Sequence, residues 1–165
     1  MIQIGPVALT ILHIPVIIAA ILFQVEGGLI VGLTFGLTSW FVAATRAATP
    51  IDLLFVNPLV SVLPRVLFGI AAGLLAQWSV KIKHQAVRYG GLAFFSTLLH
   101  SLLVYTCLYF NGKELFFPNS DLSGVVANYV PFVIGAFTVN SLIEAAVAAF
   151  IGIVLMKALE RLAVK

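Results

Sequence analysis

Five long apolar runs, separated by short polar segments, make up most of the chain. A helix needs about 20 mostly apolar residues to cross a bilayer, so each run predicts one membrane-spanning helix. The last run exceeds one crossing, and its charged end predicts an amphipathic tail. The pattern therefore predicts an all-α integral membrane bundle of five spans in one domain, residues 1–165. The runs cover about residues 6–23, 29–44, 66–80, 90–110 and 129–159.

The segment 51–65, IDLLFVNPLVSVLPR, interrupts this pattern between the second and third runs. Proline removes a backbone donor and pushes the preceding residue out of helical geometry. Asn57 and Leu63 are therefore predicted to be extended, and a new helix is predicted to begin near Pro64. This places Arg65 at the mouth of that helix, where apolar and polar surroundings meet. We interpret the segment as a gate or a binding loop.

Proline and glycine positions predict where the first helices bend and how they pack. Pro15, close to His13, predicts a kink in the first run, and residues 24–28 predict a tight turn before the second run. Glycines four residues apart let two membrane helices approach closely, and we interpret them as packing sites. This spacing occurs twice, as Gly32 with Gly36 and as Gly69 with Gly73.

Composition agrees with the membrane class and indicates an orientation. Charged residues make up 9% of the chain, against about a quarter of a soluble domain. Alternating the runs across the bilayer puts six basic residues on one side and three on the other, so the positive-inside rule makes the C-terminus cytoplasmic. We then expect Met1 outside, a further helix before it, and a multi-pass protein of the cell membrane. The six are Lys81, Lys83, Arg88, Lys157, Arg161 and Lys165, and the three are Arg46, Arg65 and Lys113.

Several polar side chains are predicted to lie in the outer half of the bundle, by the 1.5 Å rise of a helix per residue. Glu144 follows Asn140 by four residues and shares its helix face. An ionisable residue within the membrane is a functional hypothesis by default. The candidate ligand contacts are Arg65, Asn140, Asn57, His100, Thr97, Glu144, His13 and Trp40.

Structural roles remain open for these candidates. Arg65 is equally consistent with an arginine that reaches from the apolar region to the interface. His100 can bridge helices by a hydrogen bond, and Glu144 can accept hydrogen bonds from a neighbouring helix. His13, close before Pro15, is also typical of a structural residue. Trp40 lies at interface depth and either flanks a pocket or has no special role.

The sequence gives no indication of catalysis, a cofactor or a metal. It contains no GxSxG or HExxH motif, no paired aspartates on facing helices and no phosphate-binding glycine loop. Its single cysteine, Cys107, excludes a disulfide within the chain. His13, His84 and His100 are scattered over two predicted helices and a loop. We therefore expect no catalytic residue, no metal site and no nucleic-acid partner.

The order of these segments resembles the substrate-binding S components of energy-coupling factor (ECF) vitamin transporters. Two pieces, HIPVII and NPLVSVLPR, most resemble the pantothenate-specific members, although S components for folate or hydroxymethylpyrimidine share the architecture. The resemblance is carried by IGPVALTILHIPVIIAAIL at 4–22, GLIVGLTFGLTS at 28–39, NPLVSVLPRVLFGIAAGLLA at 57–76 and VNSLIEAAVAAFIG at 139–152.

The resemblance implies a six-helix bundle, with the first helix missing before Met1, that captures a vitamin from outside. It implies docking on a transmembrane coupling subunit that is driven by two ATPases. These partners use the ATP, whereas the chain itself is surrounded by membrane lipid and holds no cofactor. Family binding sites lie near the outer face under loops, one of which corresponds to residues 47–64.

Another hypothesis is a small membrane enzyme or channel-like scaffold in which Glu144 and His100 carry out proton chemistry.

For pantothenate, the resemblance implies a distribution of ligand contacts. Arg65 suits the carboxylate because a guanidinium binds both oxygens. Asn140, Asn57, Thr97 and His100 are available for the amide and the two hydroxyls. Glu144 conflicts with an anionic ligand unless it pairs with a donor such as Arg65 or accepts from a hydroxyl, so we expect it to lie behind the direct contacts.

Overall fold

A computed structural model describes residues 2–4, 7–9, 12–47, 49–116, 122–137 and 140–163. This part of the chain is mainly helical, with one antiparallel pair of short strands near its start. The strands are β1 (Ile2–Ile4) and β2 (Val7–Leu9). The helices are α1 (Ile14–Arg46), α2 (Pro50–Leu54), α3 (Pro58–Ser61), α4 (Leu63–Ser79), α5 (Gln85–Asn111), α6 (Lys113–Phe116), α7 (Leu122–Phe137) and α8 (Asn140–Ala163).

Helix α1 folds back on itself at Gln24, which has a φ of 54° and a ψ of −136°. A Cβ atom added at Gly27 would lie 2.5 Å from the carbonyl oxygen of Ala19. His13 and Phe35 both pack on the ring of His100, at 5.6 and 5.8 Å between centroids, whereas a straight helix would separate them by about 33 Å. The chain reversal predicted at 24–28 is confirmed, but the turn is confined to Gln24, so α1 consists of a first arm, 14–23, and a second arm, 25–46.

The predicted first span, residues 6–23, is wrong in its extent. Residues 7–9 form β2, and helical structure begins only at Ile14, with Pro15 in the first turn rather than at a kink. Proline suits the start of a helix because the first amides have no partner within it. The first arm of ten residues is about 15 Å long, half of the apolar thickness of a bilayer.

Four helices of the described chain are long and apolar enough to cross a membrane, one fewer than predicted. The final apolar run, 129–159, is divided between α7 and α8 instead of forming one long helix. A shorter apolar helix, Ser123–Gly135, falls within α7. The predicted class, an all-α membrane bundle, is confirmed. The four helices are Ile14–Arg46, of which the second arm, 25–46, is long enough by itself, and Pro58–Ser79, Gln85–Asn111 and Ser141–Leu162.

Glycines bring the second arm of α1 and helix α4 into backbone contact. A Cβ atom added at Gly32 would lie 2.6 Å from the carbonyl oxygen of Arg65, and one added at Gly36 would lie 2.9 Å from the Cα atom of Val62. Gly28 and Gly69 face each other in the same interface. Side chains at these positions would force the two backbones apart, so the packing predicted from the glycine spacing is confirmed.

Helices α1, α4, α5 and α8 pack in that order to form the bundle. Its core is built of aliphatic and small side chains around Phe68, including Val16, Ile17 and Ala72. Helices α5 and α8 run antiparallel, because Ala93 packs on Gly152 and the Tyr89 hydroxyl donates to Glu160. Large apolar side chains cover the outer surface, as a helix in lipid requires. Among them Phe23, Ile30, Trp78 and Phe150 are 65–73% exposed.

Candidate ligand-binding site

The segment between α1 and α4 is folded by its own polar side chains. Thr49 and Asp52 form a capping box at the start of α2, which satisfies two backbone amides. Asn57 has a ψ of 121°, as predicted for an extended residue before proline, and its side chain accepts from the amide of Leu59. Leu63, also predicted to be extended, is the first residue of α4. This prediction is wrong because Pro64 occupies the first turn, where proline is tolerated.

Arg65, in the first turn of α4, is buried below this segment, with 7% of its surface exposed. One terminal nitrogen, Nη1, donates to the carbonyl oxygen of Val60 at 2.6 Å. The guanidinium carbon lies 5.6 Å from the ring centroid of Phe35 and 5.3 Å from that of Phe55, within cation–π distance. Nε has no hydrogen-bond partner among the described residues. The buried guanidinium is thus held by one backbone carbonyl oxygen and two aromatic rings.

A pocket of about 400 Å³ opens beside Arg65, at the end of the bundle where α1 finishes and α4 begins. Ligand pockets span about 300–1,000 Å³ and combine apolar walls with a few polar groups. The residues that line this pocket are Leu12, Phe35, Thr38, Ser39, Val42, Ala43, Arg46, Ala47, Asp52, Phe55 and Arg65.

A buried polar cluster lies on the other side of Phe35. His13 Nε2 lies 3.0 Å from the Thr97 hydroxyl oxygen, which itself donates to the carbonyl oxygen of Ala93 at 2.8 Å. A hydroxyl has one proton, so His13 Nε2 is the donor in the first bond. The His13 and His100 rings stack with an interplanar angle of 18°. The helix-bridging hydrogen bond considered for His100 is made by His13 instead.

His100 is 8% exposed and is surrounded mainly by rings. Its ring centroid lies 4.7 Å from that of Phe68 and 5.8 Å from that of Phe35. Its Nδ1 atom is buried and has no hydrogen-bond partner in the described part of the chain. Since the Phe35 ring contacts both His100 and Arg65, it is the wall shared by the pocket and the polar cluster.

The structure therefore brings four of the candidate residues together around Phe35. These four are Arg65, His13, Thr97 and His100. Their contact with a ligand remains a prediction.

Two further candidates, Trp40 and Asn57, hold the loop rather than line the pocket. Trp40 Nε1 donates to the carbonyl oxygen of Val56 at 2.9 Å. The Asn57 side chain donates to Asn111 Oδ1 at 3.1 Å, and Asn111 lies at the end of α5. These bonds attach the loop 47–62 to α1 on one side and to α5 on the other.

The last two candidates belong to α8. Asn140 begins this helix, and its side chain lies outside the described part of the structure. Glu144 is half-buried. Extending the antiparallel register in which Gly152 packs on Ala93 brings Glu144 to the level of Ser101, next to His100 in sequence.

Sequence reasoning missed Arg46 and the aromatic residues Phe35, Phe55 and Phe68. In the sequence Arg46 contributes only to the count of basic residues on one side of the bilayer, whereas in the structure it ends α1 and lines the pocket. Phe55 lay within the segment singled out at 51–65. Thirteen phenylalanines occur in the chain, and no local signal separates those near Arg65 from those in lipid.

The arrangement suits a small molecule that carries a negative charge and has a largely apolar body. Arg46 and Arg65 supply two positive charges and Asp52 one negative charge, which leaves the lining with one positive charge. Among the described residues, no group of histidine, cysteine, aspartate and glutamate is placed to hold a metal ion.

Comparisons with known proteins identify the chain's relatives. The model of a family described as "ECF transporter, substrate-specific component" matches residues 1–156. The chain is also 31% identical over 171 residues to the pantothenic acid transporter PanT of Lactococcus lactis subsp. cremoris (strain MG1363), a match that covers 94% of this chain and 80% of that protein. The chain therefore belongs to the family of substrate-specific components of ECF transporters and is a multi-pass membrane subunit of a transporter.

Proposed function

We propose that this subunit captures pantothenate from outside at high affinity and delivers it to the other subunits of an ECF transporter. The observation that carries the proposal is the pocket beside Arg65, where a buried guanidinium group borders about 400 Å³ of mainly apolar space. The similarity to a protein named for pantothenic acid supports the choice of vitamin.

Pantothenate has one carboxylate, one amide and two hydroxyls. Arg65 is the proposed contact of the carboxylate, because Arg–carboxylate pairs form strong, charge-assisted hydrogen bonds. The lining has one net positive charge, which matches the single negative charge of this ligand. Its apolar walls, which include Phe35, Phe55 and Val42, suit the dimethyl-substituted carbon of the pantoate part.

The amide and hydroxyl groups are assigned to the polar cluster behind Phe35 and to its surroundings; since His13, Thr97 and His100 do not line the pocket, this contact requires the Phe35 ring to move aside. His100 Nδ1 is buried without a partner in the described chain, and an unsatisfied buried group costs about 1–3 kcal/mol until a ligand satisfies it. Asn140 is proposed as a second contact, on the sequence argument alone. Thr97 and His13 already bond each other, so their proposed role is to hold the His100 ring.

Glu144 is proposed to lie behind the direct contacts. Its register brings it to the level of Ser101 along the bundle, and a carboxylate that faced an anionic ligand there would be repelled unless paired. Asn57 and Trp40 are proposed to act indirectly, by holding the loop over the pocket.

The pocket is proposed to face outside and the C-terminus to face the cytoplasm. Arg46 and Arg65 lie at the pocket end, whereas the Tyr89–Glu160 contact puts the 81–88 loop and the end of α8 together at the other end. The more basic end is therefore cytoplasmic by the positive-inside rule. At that side the subunit is proposed to reach a membrane coupling subunit and two ATPases, which use the ATP.

Binding of labelled pantothenate to the detergent-solubilised protein tests the ligand. Arg65→Ala and Asn140→Ala should each weaken nanomolar wild-type binding by about 10–150-fold, the effect of losing a charge-assisted or buried hydrogen bond. Lys113→Ala is the matched control, because it removes an exposed charge at the same end of the bundle. Circular dichroism and gel filtration establish that each variant is folded.

The possible outcomes test the ligand, the capture role and the assembly separately. Binding of another vitamin in place of pantothenate would keep the transporter subunit and exclude the proposed ligand. No binding of any vitamin by the folded wild type would contradict the capture role. Co-purification with a coupling subunit and two ATPases tests the proposed assembly independently.

A further inference from the structure

Arg46 is a second guanidinium in the candidate pocket. It is the last residue of α1 and lines the same cavity as Arg65. The two arginines differ in their surroundings, because Arg46 is exposed and Arg65 is almost completely buried. Arg46 therefore lies at the mouth of the pocket and Arg65 in its wall.

Arg65 cannot by itself satisfy a carboxylate. Its Nη1 atom already donates to the carbonyl oxygen of Val60, and the guanidinium carbon lies 5.6 and 5.3 Å from the ring centroids of Phe35 and Phe55. A carboxylate has two oxygens with about four acceptor sites. Some of these sites must be met by water or by another donor.

Asp52, the remaining charged residue of the lining, has a structural role. Asp52 Oδ2 accepts from the backbone amide of Thr49 at 2.9 Å and thus caps α2. Arg46 is the other positive charge of the pocket, and its long side chain can follow the ligand as it enters.

We infer that Arg46 is a specificity-determining residue, which contacts the ligand's carboxylate from the mouth of the pocket while Arg65 contacts it from the wall. This inference rests on the proposed function and extends that function by naming the group that selects an anionic vitamin over a neutral analogue. It also explains why a pocket with mainly apolar walls has two guanidinium groups and not one.

The test compares pantothenate with pantothenol, in which a CH₂OH group replaces the carboxylate. Both ligands are titrated into the solubilised full chain as wild type, Arg46→Gln, Arg46→Lys and Lys113→Gln. Arg46→Gln should weaken pantothenate binding by up to about 5-fold, the upper end of the range for an exposed charge pair. Its affinity for pantothenol should stay at the wild-type value. Arg46→Lys should recover part of the loss, and Lys113→Gln should match the wild type.

Each other outcome overturns the inference. Unchanged pantothenate binding in Arg46→Gln, or equal losses for both ligands, would exclude a carboxylate contact by Arg46, and the proposed function would stand because the wild type binds. An equal loss in Lys113→Gln would attribute the effect to the general charge of that end of the bundle. A folded wild type that binds no pantothenate would overturn the proposed function and the assignment of Arg46 together.

Discussion

His13 donates from Nε2 to the Thr97 hydroxyl at 3.0 Å, and this bond joins the start of α1 to the middle of α5 across 84 residues of sequence. The Thr97 proton is used by the Ala93 carbonyl oxygen, so the direction of the bond is determined. The bond fixes the His13 ring on which His100 stacks. A structural pair thus positions the adjacent ligand candidate.

Replacing Thr97 by valine should destabilise the protein by about 1–3 kcal/mol, because the buried N–H of His13 Nε2 loses its acceptor while the volume is nearly kept. His13→Phe combined with Thr97→Val should cost less than the sum of the two single changes. Equilibrium unfolding in mixed micelles, followed by circular dichroism, measures these free energies. Strictly additive losses would contradict a direct bond.

Gly32→Ala should destabilise the protein by about 1–3 kcal/mol, the usual cost of overpacking. The added Cβ would meet the Arg65 carbonyl oxygen at 2.6 Å and the Gly69 Cα atom at 3.3 Å, and backbone atoms cannot rotate away. Gly91→Ala is the matched control, since a Cβ there meets nothing within 4 Å and alanine favours a helix. Thermal unfolding measures the stability of both variants. An equal loss of stability in Gly32→Ala and Gly91→Ala would mean that the close contact between α1 and α4 does not cause the loss.

Trp40→Phe should increase hydrogen exchange in residues 49–61 with little change in global stability. The variant loses the bond from Nε1 to the Val56 carbonyl oxygen, which holds the loop on α1. Loss of one such bond costs about 0.5–1.5 kcal/mol, so local opening should be about 2- to 12-fold more frequent. Exchange measured by mass spectrometry tests this. Trp78→Phe is the matched control, because Trp78 is 73% exposed and lies at the far end of α4. It should leave hydrogen exchange in the loop unchanged.

The features that were predicted from sequence are those that depend on nearby residues. The reversal at Gln24, the extended Asn57 before Pro58 and the close helices at Gly32 follow from backbone conformation or from the absence of a side chain. Hydropathy also identified the membrane class, because lipid requires apolar surfaces regardless of which helices meet.

The features that were missed depend on which helix faces meet. All sides of these helices are apolar, so the pattern cannot separate a lipid-facing phenylalanine from Phe35, which packs on His100 and Arg65. Hydropathy likewise cannot separate the apolar β2 strand from the start of a helix, which is why the first span was placed too early. The hydrogen bond between His13 and Thr97 joins residues that are 84 positions apart, so no pattern of neighbouring residues predicts it.

Tyr89→Phe should destabilise the contact between α5 and α8 without changing ligand affinity. The Tyr89 hydroxyl donates to Glu160 at the end of the bundle opposite the pocket, where a bond to a charged acceptor contributes about 1.5–3 kcal/mol when buried and less at this partly buried site. Glu160→Gln keeps an acceptor oxygen and should therefore lose less stability than Tyr89→Phe. Unfolding in mixed micelles and ligand titration are measured on the same preparations. Because distant sites act independently, a loss of affinity equal to that of Arg65→Ala would mean that the two ends of the bundle are coupled, contrary to this expectation.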